Sequence, residues 1–135
     1  MNPSLINWPA VLVAAISSFA IGGIWYNPKV FGTAWMKDSN LTEEQIKNGA
    51  SPEKIFGFTS LFSLVSAANL AAFLAEPTTT TSWGATAGFL AGIWTFSAIA
   101  THSLFEQKNW RYIFSNGLYS MVVLVVMGAI LGAWR

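Results

Sequence analysis

In an otherwise apolar chain, the side chains able to do chemistry are one imidazole and a few amides, phenols and indoles. His102 is the only histidine, and imidazole titrates near neutrality, so modest surroundings switch its charge. Glu106 follows four residues later, close enough to pair with it along a helix. Such a pair at a membrane mouth can bind or relay a proton, or hold a polar ligand. The competing reading is a neutral imidazole, hydrogen-bonded to Asn116 or Tyr119 and serving packing alone. Tyr26, Asn116 and Tyr119 would add hydrogen bonds at the same depth, with Trp25 as an aromatic wall. Asn69 and Asn116 can also act purely as interhelical bonds, each worth about 1 kcal/mol.

Several chemistries drop out. With no cysteine and a single histidine, too few nitrogen or sulfur ligands exist for a metal centre. There is no G-x-S-x-G, no phosphate-cradling glycine loop and no H-E-x-x-H. No carboxylate lies within an apolar run, where an ion-coupled antiporter would need one. No catalytic residue is assigned and no cofactor is expected. The net charge of +1 gives no electrostatic case for nucleic acid.

The elements that must position these residues are membrane spans. The 135 residues are 53% hydrophobic and only 10% charged, with mean hydropathy +0.48, against about 25% charged for a soluble domain. The expected fold is all-α: a single domain over 1–135, with four spans at about 5–27, 55–75, 83–105 and 112–134. The third is the hub. Its Gly84, Gly88 and Gly92 fall four apart, a stripe that lets another helix approach closely, and at about 100° per residue His102 shares that face. Matching small-residue stripes are Ala14, Ser18 and Gly22 in the first span and Ser63, Ala67, Ala71 and Ala75 in the second. Gly128 and Gly132 supply one in the fourth. With no Lys or Arg before Lys29, the first apolar run reads as a retained span, not a cleaved signal.

The 28–54 loop is expected to hold short helices. Phe31, Trp35 and Met36 would lay one on the membrane surface. Thr42 and Gln45 form a capping box, with Leu41 stapled onto Ile46. Gly49 ends that helix, and Ser51-Pro52 starts the next span. Lys29, Lys37, Lys47, Lys54, Lys108 and Arg111 lie in the two loops 28–54 and 106–111, while only Arg135 lies opposite. The positive-inside rule then puts both loops in the cytoplasm and both termini outside. Threading the spans gathers small residues in the outer half. Bulky and polar ones gather in the inner half, where they would surround a polar cavity. The triplet Gly23-Ile24-Trp25 recurs as Gly92-Ile93-Trp94, but at a different depth, so it reads as chance.

The run Gly23-x-Trp25-Tyr26-x-Pro28-x-x-Phe31-Gly32-x-x-Trp35-Met36 resembles the signature of the domain of unknown function 1761 family, small four-span membrane proteins. His102 with Leu104-Phe105-Glu106, and Gly128-Ala129-Ile130-Leu131-Gly132, resemble its later elements. The resemblance covers nearly the whole chain and implies a multi-pass membrane protein without supplying a reaction.

The functional expectation is a homo-oligomeric bundle in the inner or plasma membrane, with lipid around it. It would bind or pass a small polar solute through a cytoplasmic-side cavity around His102. One alternative is a structural or accessory subunit working through its 28–54 loop. Another is a lipid-modifying membrane enzyme with His102 as acid or base.

Overall fold

A computed structural model describes residues 1–135. The fold is all-α, with six helices: α1 (Trp8–Trp25), α2 (Thr33–Asp38), α3 (Glu43–Lys47), α4 (Pro52–Phe73), α5 (Thr81–Phe105) and α6 (Trp110–Ala133). A 3-10 turn (Pro3–Leu5) precedes α1, and a π turn (Pro28–Gly32) leads into α2. The four long helices are each long and apolar enough to cross a membrane. Their outward faces carry large apolar side chains, among them Ile24, Phe62, Trp94 and Phe105. Water would not tolerate so continuous an apolar surface. This is an integral membrane protein.

Local chemistry sets the helix ends, several residues away from the expected limits at some of them. Asn7, Ser51, Thr80 and Asn109 each accept a backbone N–H of the first turn that follows, as N-caps do. Thr42 and Gln45 form the expected reciprocal capping box on α3.

The long helices stand in a row, α5–α6–α1–α4, and the row does not close: α4 and α5 make almost no contact. The α5–α6 pair is the most intimate. Gly84 lies against Gly128, Gly88 against Leu124, Gly92 against Met121, and Phe96 against Gly117. A Cβ on Gly84, Gly88 or Gly128 would come closer than 3.0 Å to a backbone carbonyl of the partner helix. At Gly132 the carbonyl of Thr80 leaves as little room. On the other side of α6, Ala10, Val11, Ala14 and Ala15 of α1 pack with Ala67, Leu70 and Ala71 of α4 in the main core. Ser18 and Ser63 touch at 3.0 Å between hydroxyl oxygens. Small residues thus let neighbouring helices close up toward the end that carries the termini and the threonine connector, 76–80.

Phe31 stays partly exposed and Trp35 is half-buried, close to a compact turn. The Gly32 N–H reaches back to the Asn27 carbonyl across five residues, and this turn swings α2 in against α6. Toward the end that carries the loops, the rings of Trp25, Tyr26, Trp35 and Tyr119 pack together.

Candidate functional site

At the end that carries the loops, an aromatic plug grows from the α1 terminus. The Trp25 indole donates to the Ser115 carbonyl at 2.8 Å, and the Tyr26 hydroxyl donates to Asn116 Oδ1 at 2.6 Å. Phe31 leans on Trp25 at 4.8 Å between centroids, and Trp35 meets Tyr26 edge-on at 5.8 Å. Tyr119 lies 5.1 Å from Tyr26 and donates its hydroxyl to the Ser18 carbonyl at 2.8 Å. Of the residues expected to bind a ligand, Trp25, Tyr26, Asn116 and Tyr119 are therefore together, with Tyr26 bonded to Asn116 and the Trp25 and Tyr119 donors taken by backbone carbonyls. Phe31 and Trp35 add their rings to the same plug, while Val30, Phe31, Leu41 and Ile46 keep apolar surface exposed along the 28–54 loop.

Asp38 fastens the plug from outside. Its side chain is only 3% exposed. It accepts Arg111 Nε at 2.6 Å and Nη2 at 2.7 Å, plus Asn109 Nδ2 at 2.9 Å. These hydrogen bonds, Arg111 first, hold the Asp38 carboxyl below its usual range. A lowered carboxylate pKa gives stability that is present above the unfolded value, about 3.9, and fades as pH falls through the folded value. The fastening is therefore constant through the neutral range and opens only in acid. Arg111→Ala leaves Asp38 buried and short of partners, whereas Asp38→Asn leaves Arg111 half in water. The arginine change is expected to cost about 2 kcal/mol and the aspartate change less. Protease cutting within residues 39–51 checks this, and equal sensitivity of the two variants would contradict it.

His102 is where the structure departs furthest from expectation. The imidazole is exposed on the outer face of α5 and makes no hydrogen bond. Glu106 is likewise exposed and unpaired with it; it lines a shallow polar pocket beside Lys37, Asp38 and Lys108. The cause is geometric. Contacts at Gly84, Gly88, Gly92 and Phe96 advance by four residues, overshooting a 3.6-residue turn by about 40° each time. The contact line therefore winds round α5, in the right-handed sense that such stripes favour. His102 returns to the angle of Gly84 after about five turns, but the line has moved on, and Ser103 is the buried residue at that level.

The gap in the helix row forms a groove of about 960 Å³ between α4 and α5, floored by α6. That volume suits a small-molecule site. Its walls are mostly apolar, with Phe62, Phe73, Leu90 and Trp94 prominent, and no charged residue lines it. Thr59, Ser63, Ser66 and Asn69 run down the α4 wall, and Tyr119 and Ser120 sit on the floor. Phe73 of α4 and Trp83 of α5 approach to 6.3 Å between centroids and bridge the end near the threonine connector. Sequence reasoning treated Asn69 as glue within the bundle. The signal for its position was its spacing, two residues from both Ala67 and Ala71, which turns it about 200° away from the Ser63–Ala67–Ala71 stripe.

A family model described as "Protein of unknown function (DUF1761)" matches residues 9–132. The chain belongs to this family. Most of its quoted motif now has a structural reading. Trp25, Tyr26, Phe31 and Trp35 build the plug, Pro28 opens the π turn, and Gly32 is buried where a Cβ would strike the Tyr26 carbonyl. Gly23 is the exception: it is exposed and nothing lies within 4 Å of where its Cβ would be. No curated protein and no solved structure matches the chain.

Proposed function

We propose that this membrane protein takes a lipid-soluble molecule laterally from the bilayer into the α4–α5 groove. One observation carries the reading: polar side chains face a gap in the helix row that lipid can enter. A groove of purely structural origin would be expected to present hydrocarbon to hydrocarbon. The lysine and arginine asymmetry between the two ends orients the protein with loops 28–54 and 106–111 in the cytoplasm and the termini outside. The reading replaces a cytoplasmic-side cavity around His102 with a site in the membrane, and keeps Tyr119 as part of it.

Filling the groove is the test. Ala91 lines it from α5 and is small; Ala91→Trp projects a ring across it. Native mass spectrometry of protein released from the membrane should find a bound small molecule on the parent chain. The variant should retain it at least about tenfold less, equivalent to 1.4 kcal/mol. Equal retention by both, or a bare parent chain, would refute the reading.

Self-association is the second reading, favoured by Gly23. An exposed glycine at a family-motif position, with open space beside it, lets a second copy's helix approach α1. Gly23→Leu would then lower the oligomer order seen by light scattering in detergent; an unchanged mass would reject it.

A further inference from the structure

Building on the groove reading, we infer that the occupant is an uncharged lipid whose polar part is hydroxyl and carbonyl, of the diacylglycerol kind, and not a phospholipid. The hydrogen-bond pattern of the spans points this way. Hydroxyls facing the bilayer outside the groove are satisfied by their own helix. Ser60 bonds the Phe56 carbonyl, Thr86 that of Ser82, Ser97 that of Ile93, and Thr101 that of Ser97. Of the groove-lining polar side chains, Thr95 bonds its own helix at Ala91 and Ser63 pairs with Ser18, whereas Thr59, Ser66, Asn69 and Ser120 make no hydrogen bond. A serine or threonine can rotate back onto its helix. The larger Asn69 amide offers donors and an acceptor at once, so it needs an outside partner.

The position of Asn69 then limits what that partner is. It lies one turn from Phe73 on α4, beneath the Phe73–Trp83 bridge. A head group there is screened from the aqueous side by two aromatic rings. It meets Ser66 and Asn69 and no cation, since no lysine, arginine or histidine lines the groove. A phosphate in that place would be a desolvated charge without a counter-ion. An ester carbonyl or hydroxyl instead gives the amide and hydroxyl the partners they lack. From Asn69 to Thr59 the wall runs about 15 Å at 1.5 Å per residue. Acyl chains fit against its apolar surface, past Val65, Leu90 and Trp94.

Two probes with identical chains separate the alternatives: dioctanoylglycerol, and dioctanoyl phosphatidate, which adds only the charge. Binding to the full chain in a neutral detergent is followed by native mass spectrometry. The diacylglycerol is expected to bind at least about tenfold more tightly. Asn69→Leu should weaken it about fivefold, and Asn69→Gln, which keeps the amide, should recover most of that. Ser60→Ala, on a hydroxyl already bonded to its own helix, should change nothing. Equal binding of both probes, or tighter binding of the phosphatidate, overturns the uncharged class while leaving the groove intact. Loss with Asn69→Leu that Asn69→Gln fails to recover overturns recognition by the amide. If neither probe binds and Ala91→Trp makes no difference to retained small molecules, the groove reading itself has failed.

Discussion

Replacing Gly88 with alanine is expected to destabilise the protein by about 3 kcal/mol, and with leucine to prevent α5 and α6 from pairing at all. Adding bulk to a packed interior usually costs about 1–3 kcal/mol, because side chains can shift to make room. Here the obstacle is the Leu124 carbonyl of α6, which belongs to a helix backbone and cannot shift alone. The helices must separate, and the separation propagates to Gly84, Gly92 and Gly128 on the same seam. Reversible denaturation in mixed micelles would measure the loss. Gly57→Ala is the matched control, since nothing lies within 4 Å of its added methyl. It should be neutral or raise stability by up to about 1 kcal/mol through helix propensity. Similar losses at Gly57 and Gly88 would mean that the seam is not where the account puts it.

The second large effect is expected at Gly32. Its φ of −62° is ordinary, so the restriction is space and not backbone conformation. An added methyl would lie closer than 3.0 Å to the Tyr26 carbonyl, inside the π turn that brings α2 back to the bundle. Gly32→Ala is expected to open that turn and cost about 2–3 kcal/mol, within the range for overpacking a rigid site. Trp35 would leave the edge of Tyr26, and Asp38 would leave Arg111 and Asn109. A red-shifted tryptophan emission and rapid cleavage within residues 39–51 should appear together, while α5 and α6 stay paired. Retention of both native signals in Gly32→Ala would remove the structural reading of the family motif.

The parts of the architecture that follow from short-range rules could be read from the sequence. Uncharged runs gave the spans. Small residues four apart gave the α5–α6 seam and the α1–α4 contact. The Thr42–Gln45 box and the Ser51 cap appeared as their spacing required. What went astray depended on cumulative geometry. His102 shares an angle with Gly84, yet a contact line that advances four residues at a time leaves that angle behind. A helical wheel drawn on a straight axis cannot register this drift. Phe31 and Trp35 look like one face of a surface helix, and that spacing does not mark the compact turn at Gly32 that sets their rings against Trp25 and Tyr26. The α4–α5 groove was hidden for a different reason. It is defined by two helices that fail to touch, and no local pattern marks a missing contact. Its one legible trace was Asn69, a polar residue in a span with no stripe partner.

The openness of that groove is the claim on which the functional reading rests, and the absence of native cysteine makes it directly testable. Disulfides form only when Cα atoms lie within about 7 Å. Ser18→Cys with Ser63→Cys spans a contact that is closed, and should cross-link rapidly in native membranes under mild oxidation. Ser63→Cys with Ala91→Cys spans the groove from α4 to α5, and should remain reduced under the same conditions. Equally fast cross-linking of the second pair would show α4 packed onto α5, with no space between them for any ligand.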